Sequence, residues 1–303
     1  MLALIAIGCS QASANSSYKK PDAPERKGWQ GKPLYGDVES ITQVSYALED
    51  KFGEIRRGET EVEDIAYFNE AGDVTKYINY TLGLKCIYKY DAAGNMTEWA
   101  GYNSDGSLND KYIYKYDAAG NMTEGDWYDS DGSLNNKHIF KYDAAGNMTE
   151  IALYKSDGSL DGKYIYKYDA AGNVTEMARY NSDGSLNEKS IYKYDAAGNR
   201  TEIATYDSDC SRNYKHIYKY DDKGNMTEDA GYNSDGSLNE KSICNYDAAG
   251  NMTEIAIYKS DGSRNYKWIY KYDDVGNVTG WTEYVGEIMT PIEEVEAKIV
   301  YRK

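Results

Sequence analysis

Polar and apolar residues alternate along most of the chain, and short polar runs containing glycine interrupt the alternation at regular intervals. Alternation of this kind predicts half-buried β-strands. The runs at residues 103–107 and 117–121 place Gly where a type I turn followed by a G1 bulge needs a left-handed residue. The pattern recurs every 26 residues, and a Tyr-Asp pair marks each unit, at Tyr90, Tyr116, Tyr142, Tyr168, Tyr194, Tyr220, Tyr246 and Tyr272. The chain is therefore predicted to be all-β, built from tandem 26-residue β-hairpins.

The two turns also predict how neighbouring strands pair. If each turn is a three-residue hairpin loop, the first places Tyr116 opposite Met122 and Tyr114 opposite Glu124, and the second places Tyr114 opposite Met96. Both turns then put the Tyr and Glu side chains on one face of a continuous antiparallel meander, either a single layer or a curved sheet. With strands about 4.8 Å apart, the units would form an open ribbon of roughly 75 to 80 Å. The last strand would be an edge blunted by Arg and Lys.

The repeats divide the chain into five parts. These are an export segment at 1–14, a flexible tether at 15–36, divergent N-terminal repeats forming a cap at 37–85, eight regular units at 86–284, and a C-terminal cap strand at 285–303.

The N-terminal segment resembles the end of an export signal. Residues 2–8 form an apolar run too short to span a bilayer, and the Ala-Ile-Gly-Cys that ends at Cys9 resembles a bacterial lipobox. An Ala-Ser-Ala at residues 12–14 offers an alternative cleavage site for ordinary secretion. We therefore expect an outer-membrane or cell-surface lipoprotein acylated on Cys9, or else a secreted protein. Contact with a membrane would then occur only through the lipid anchor.

Composition and charge narrow the possible partners. The chain has 33 Tyr but only 3 Phe and 5 Trp, and its net charge is -16. Aromatic area must therefore substitute for an aliphatic core, and the negative surface makes nucleic acid an unsuitable partner. Cys86, Cys210 and Cys244 occupy different places in the repeat, so no disulfide framework is predicted.

The motif Tyr114-x-Tyr116-Asp117-x-x-Gly120-Asn121 resembles the YD repeat of bacterial Rhs proteins and of the shells of insecticidal toxin complexes. The resemblance implies a long β-strip that can spiral into a hollow shell, a cell-surface location, carbohydrate binding, or encapsulation of a toxic domain. Because the period here is longer than the usual YD spacing and the array is too short to close a shell, we expect the strip but not the encapsulating role. A hairpin array like that of MORN repeats is a related possibility.

The predicted tyrosine and glutamate face is the candidate ligand-binding surface. Tyr rings can stack on sugar rings, and carboxylates can accept hydrogen bonds from hydroxyls, so the face would bind an extended polysaccharide or glycan, or a surface protein. The alternative is that the rings only pack on one another to stabilise a thin sheet. The candidate residues are Tyr88, Tyr114, Tyr166, Tyr192, Tyr218, Tyr270, Glu98, Glu124, Glu150, Glu176, Glu202, Glu228 and Glu254.

Other motifs are better explained by turn formation or chance than by chemistry. His138 and His216 occupy the same strand position in different units and are interpreted as tolerated substitutions, and no nucleophile-base set can be assembled around them. The Asn-x-Thr triplets and the Asp-Ser-Asp-Gly run at residues 129–132 suit turns better than glycosylation or calcium binding. No catalytic site, metal site or cofactor is predicted. Two alternatives to a ligand-binding role remain: a purely structural spacer or adhesin-like protein that contacts others through strand edges, and a fragment of an Rhs-type toxin system.

Overall fold

A computed structural model describes residues 25–30 and 32–302 of the chain. The proposed export segment and Cys9 lie outside the described residues.

The described chain is built of β-strands joined by tight turns, and the prediction of an all-β hairpin array is confirmed. The strands are β1 Glu25–Trp29, β2 Lys32–Tyr35, β3 Val38–Lys51, β4 Glu54–Phe68, β5 Val74–Asn79, β6 Leu84–Tyr90, β7 Met96–Tyr102, β8 Leu108–Tyr116, β9 Met122–Asp129, β10 Leu134–Tyr142, β11 Met148–Lys155, β12 Leu160–Tyr168, β13 Val174–Asn181, β14 Leu186–Tyr194, β15 Arg200–Asp207, β16 Arg212–Tyr220, β17 Met226–Tyr232, β18 Leu238–Tyr246, β19 Met252–Lys259, β20 Arg264–Tyr272, β21 Val278–Val285 and β22 Thr290–Tyr301.

Strands β3 to β22 form one antiparallel meander that closes on itself as a 20-stranded barrel. The seam is the pairing of β22 with β3, which runs over nine residue pairs from Glu293 opposite Ala47 to Tyr301 opposite Val38. The hydroxyl of Ser45 donates to the Glu293 carboxylate across this seam. The expectation of an open ribbon, too short to close and ending in a blunted edge, is therefore wrong. Strand twist and repeated bulges curve the sheet until its first and last strands meet.

The two predicted turns are confirmed. Gly120 and Gly106 have φ of 85° and 84°, the left-handed conformation that glycine adopts without strain. In the first turn the Asp117 amide donates to the Asn121 carbonyl at 2.9 Å and the Gly120 amide donates to the Asp117 carbonyl at 3.1 Å. The Asp117 carboxylate also accepts hydrogen bonds from the backbone and side-chain amides of Asn121, at 2.9 and 3.0 Å. The Asn of each Asn-x-Thr triplet thus serves the turn.

The predicted register holds next to each turn and fails beyond it. Tyr116 does lie opposite Met122, but a bulge follows, so that Lys115 pairs with Glu124 and Tyr114 with Gly125. The bulge accommodates Thr123 as the extra residue, and the Thr123 hydroxyl donates to the Lys115 carbonyl at 3.3 Å. A shift of one residue moves every following side chain to the other face of the sheet. The prediction that Tyr114 and the equivalent candidate tyrosines share a face with the glutamates is therefore wrong.

Hydrogen bonds from tyrosine hydroxyls fasten each unit to the one before it. The hydroxyl of Tyr116 donates to the Met96 carbonyl at 2.7 Å, and that of Tyr168 donates to the Met148 carbonyl at 2.6 Å. The same bond recurs at Tyr90, Tyr142, Tyr194, Tyr220, Tyr246 and Tyr272. This explains why the Tyr of the Tyr-Asp pair is present in every unit.

A small hydrophobic core lies beside the seam, where the β1–β2 pair packs on the barrel. Leu34 is buried with Ile41, Phe68 and Ala297, and Trp29 packs against the same cluster. Residues 15–36 were expected to form a flexible tether, but their described part contains these two paired strands, in which Leu34 is buried and Trp29 packs against the core.

Candidate functional site

The two faces of the sheet carry different chemistry. We call the face that bears Lys111, Ile113, Lys115, Glu98 and Glu124 the lysine face, since strand pairing places these side chains together. All seven candidate glutamates belong to it: Glu98, Glu124, Glu150, Glu176, Glu202, Glu228 and Glu254.

Charged and aromatic side chains are paired regularly on the lysine face. The Lys167 ammonium lies 2.8 Å from the Glu176 carboxylate, and the Lys193 ammonium lies 2.8 Å from that of Glu202. The Lys111 ammonium lies 5.4 Å from the centre of the Tyr128 ring, a cation–π contact. The glutamates are thus occupied by lysines rather than placed between tyrosine rings.

The opposite face, which we call the tyrosine face, bears Trp99, Tyr112, Tyr114 and Trp127. All six candidate tyrosines belong to it: Tyr88, Tyr114, Tyr166, Tyr192, Tyr218 and Tyr270.

The tyrosine face lines the interior of the barrel. Burial is the main cause that raises the pKa of Tyr88 and of Tyr166 to about 12, and Tyr114 is only 8% exposed. For Lys115 on the other face, the main cause of the raised pKa is its hydrogen bond with Glu124. Each strand packs chiefly on its two neighbours, so one layer of side chains surrounds the interior. A ring of 20 strands about 4.8 Å apart has a circumference of roughly 96 Å, which leaves a wide lumen.

Comparison of the eight units shows that the lysine face is nearly constant and that the tyrosine face is more varied. The position of Lys111 is Lys in every unit, and that of Ile113 is Ile in every unit. The position of Trp99 on the tyrosine face reads Trp, Gly, Ile, Met, Ile, Asp, Ile and Trp along the chain. The position of Tyr112 reads Cys, Tyr, His, Tyr, Ser, His, Ser and Trp when counted from Cys86. The outside of the barrel is thus a nearly uniform scaffold, with exceptions at Asp126, Asn245, Gly280 and Thr282, and most of the diversity lies in the lumen.

Aromatic rings cluster in the lumen on β7 to β9. The ring of Tyr112 lies 5.5 Å from Trp99 and stacks on Trp127 at 5.6 Å, with an interplanar angle of 4° for the second pair. The Tyr114 ring stacks beside Tyr112 at 6.2 Å. Gly101 and Gly125 lie on the same face, and the Trp99 ring and the Asp110 carboxylate pack closely against Gly101. The cluster offers aromatic surface of the kind that stacks on planar or ring-shaped ligands.

Two pairs of polar side chains in the lumen contact each other across neighbouring strands. The hydroxyls of Ser190 and Thr205 are 2.8 Å apart, and both residues are buried. His216 Nδ1 lies 2.7 Å from the Asp229 carboxylate, and this hydrogen bond raises the pKa of His216. His138, at the same position in another unit, has a lowered pKa because burial disfavours its charged form.

Sequence reasoning found the lumenal tyrosines but missed their neighbours Trp99, Trp127 and Trp268. Variation between the units was the available signal. Most residues that differ from unit to unit share one face once the bulge at Thr123 and the bulge at Asn109, beside the second turn, are both included.

The remaining candidate motifs serve the turns. The Asp131 carboxylate accepts hydrogen bonds from the amide and hydroxyl of Ser133, at 2.8 and 2.6 Å. Within residues 25–30 and 32–302, no group of three or more His, Cys, Asp or Glu side chains is placed to hold a metal ion. The same part of the chain has no helix with the length and hydropathy needed to cross a bilayer.

Comparisons with known proteins return structural likeness only at a low level. No family model and no curated protein matches the chain. The chain is similar to the TcdB2-TccC3 protein without its hypervariable C-terminal region, with 14% identity and a TM-score of 0.37 over 88% of this chain and 17% of that chain. It is also similar to a porin-like protein from Bacteroides uniformis, with 10% identity and a TM-score of 0.39 over 87% of this chain and 96% of that one. The chain spans about a sixth of the length of the TcdB2-TccC3 chains, and no function is transferred at this similarity.

Proposed function

We propose that this chain is a non-catalytic binding barrel of the bacterial cell surface, and that its tyrosine face holds an extended ligand, with carbohydrate as the leading class. The observation that carries the proposal is the recurrence of one lumenal aromatic position in successive units, at Tyr88, Tyr114, Tyr166, Tyr192, Tyr218 and Tyr270. Members in consecutive units are two strands apart, or about 9.6 Å. Tyr114 and Tyr166, and likewise Tyr218 and Tyr270, are four strands apart because Phe140 and Cys244 occupy the equivalent positions between them. Rings at a regular spacing can engage successive sugars of a polymer, and weak contacts then add up.

The distribution of variation supports a binding role over a purely structural one. A spacer needs its scaffold, and the Lys–Glu pairs and turn residues recur in nearly every unit. A spacer does not need tryptophan, methionine, arginine and aspartate at equivalent places in the lumen, whereas a recognition surface does. Contact through strand edges, the route expected for an adhesin-like spacer, has little support because β22 and β3 close the sheet.

Glycan-array binding tests the proposal. The variant Tyr166→Ala/Tyr192→Ala/Tyr218→Ala removes three lumenal rings, and we expect at least a tenfold loss of binding for any glycan that the unchanged protein retains. The matched control is Tyr154→Ala/Tyr180→Ala/Tyr206→Ala, which removes three rings from the lysine face. Circular dichroism and thermal unfolding check that both variants fold. Equal binding by both variants, or a featureless array for the unchanged protein, would contradict carbohydrate recognition by the lumen.

Export and lipid anchoring form a separate part of the proposal. The support is the apolar run before Cys9 and the polar stretch after it. Incorporation of radiolabelled palmitate should occur in the unchanged protein and disappear in Cys9→Ala. Secretion of both forms without label would favour cleavage after Ala14 instead.

We also propose kinship with Rhs-type YD-repeat proteins, supported by the Tyr-x-Tyr-Asp-x-x-Gly-Asn motif in successive units. If the chain belongs to a toxin system, neighbouring reading frames should encode a toxin and an immunity protein. Their absence from several related loci would remove that alternative and leave the surface-binding role.

A further inference from the structure

One cleft in the lumen differs chemically from the rest of the tyrosine face. It spans β18 to β21 with a volume of about 380 Å³ and is lined by Glu240, Ile257, Asn265, Tyr266, Trp268 and Glu283. Strand pairing places Tyr266 and Trp268 on the lumenal side, with Trp268 directly opposite Glu283.

The aromatic wall of the cleft is held in a fixed orientation. The rings of Tyr266 and Trp268 are 5.8 Å apart with an interplanar angle of 22°. The indole Nε1 of Trp268 donates to the Glu283 carboxylate at 3.1 Å. Because the indole N–H is already used, the Trp268 side chain offers a visiting ligand the negative face of its ring rather than a hydrogen-bond donor.

The charge of the cleft selects among ligand classes. Its lining includes two carboxylates, from Glu240 and Glu283, and none of its six residues is basic. Lys259 is paired with Glu240 on the neighbouring strand, but its side chain is exposed at the edge of the turn. Aromatic faces beside carboxylates attract a cation both through the ring quadrupole and through its charge. A neutral ligand would gain only the contact area.

We propose that this cleft binds a small organic cation bearing a trimethylammonium group. The combination is particular to one unit, because the position of Trp268 is Cys, Tyr, His or Ser in the other units and the position of Glu283 is Gly, Trp, Leu, Arg, Thr or Ile. The site is independent of carbohydrate binding along the tyrosine columns, and either property can fail without the other.

Calorimetric titration of the full chain with choline tests the proposal, and 3,3-dimethylbutan-1-ol serves as the neutral ligand of nearly the same shape. Choline should bind, and the neutral alcohol should bind at least tenfold more weakly. Glu283→Gln and Trp268→Ala should each lower the affinity for choline about tenfold. Glu240→Gln should also weaken binding, and because Glu240 is exposed this variant keeps the test valid if the other two fail to fold. The matched control Tyr154→Ala, which removes a ring from the lysine face, should leave the affinity unchanged.

Phosphocholine separates a free cation from a lipid headgroup. Its phosphate is repelled by Glu240 and Glu283, so it should bind more weakly than choline. Tighter binding of phosphocholine, equal binding of the neutral alcohol, or an unchanged affinity in both glutamate variants would overturn the proposal.

Discussion

Cys210 occupies a turn position that glycine holds in the equivalent turns of the other units. Its φ is 65°, and the equivalent Gly106, Gly158 and Gly184 have φ of 84°, 81° and 84°. The Cys210 amide still donates to the Asp207 carbonyl at 2.9 Å, so the turn is formed despite the side chain. A residue with a Cβ in this conformation is strained by about 1 to 2 kcal/mol.

Replacement of Cys210 by Gly should therefore stabilise the barrel. Glycine relieves the strain but adds about 0.4 to 1 kcal/mol of conformational entropy to the unfolded chain. The expected net gain is about 0.5 to 1 kcal/mol in the free energy of unfolding. Urea unfolding followed by circular dichroism should show a higher midpoint with an unchanged slope.

Two further variants isolate the backbone as the cause. Cys210→Ala removes the thiol but keeps the Cβ, so its midpoint should match that of the unchanged protein. Gly184→Ala introduces a Cβ where no other atom lies within 4 Å, so it should lower stability by an amount similar to the gain in Cys210→Gly. If Cys210→Gly is destabilising, or if Cys210→Ala is as stabilising as Cys210→Gly, backbone strain is not the cause.

Three other predictions concern single contacts. Thr205→Val leaves the buried Ser190 hydroxyl without its partner at 2.8 Å and should lower the free energy of unfolding by about 1 to 3 kcal/mol. Adding Ser190→Ala should restore much of this loss. A double-mutant cycle in urea checks the coupling, and additive losses would contradict it. Tyr168→Phe removes one hydroxyl bond to the Met148 carbonyl and should cost about 1 kcal/mol by the same assay, while no change would show that this bond does not fasten the units. The Asp229 contact raises the pKa of His216 in the folded state, so this contact contributes fully to stability below the ordinary pKa of about 6.5, and the contribution is lost as pH rises through the raised pKa. Burial lowers the pKa of His138, so the neutral His138 side chain contributes to stability above about 6.5, and that contribution is lost as pH falls below this value. NMR titration should give a midpoint above 6.5 for His216 that drops in Asp229→Asn, and a midpoint below 6.5 for His138; the reverse order would refute the assigned causes.

The turns that contain a glycine could be predicted from the sequence, whereas the bulges that contain no glycine could not. Gly106 and Gly120 identified both turns because a left-handed residue limits the amino acids that fit. The bulge that accommodates Thr123 requires no special residue, since threonine adopts that conformation readily and its hydroxyl finds the Lys115 carbonyl. Because the bulge at Thr123 was missed, the predicted face of the glutamates was wrong, and these side chains lie on the outside of the barrel.

Closure could not be predicted from any single unit. It depends on twist summed over all the strands and on a match between two segments that are far apart in sequence, as in the pairing of Ile299 with Ile41. The lumenal tryptophans were likewise visible only as departures from the consensus. Their shared face followed from the register, and the register required the bulge.

Because β22 pairs with β3, the number of units sets the diameter of the barrel rather than the length of a ribbon. In an open array, gain or loss of a unit by recombination between near-identical segments would only move the far end. In a closed barrel, each unit contributes two strands, so inserting or deleting one unit changes the barrel diameter by about 3 Å. The terminal strands must then pair again around a barrel of the new size. Homologues with more or fewer units would then form wider or narrower barrels, and the volume of the lumen would differ between them.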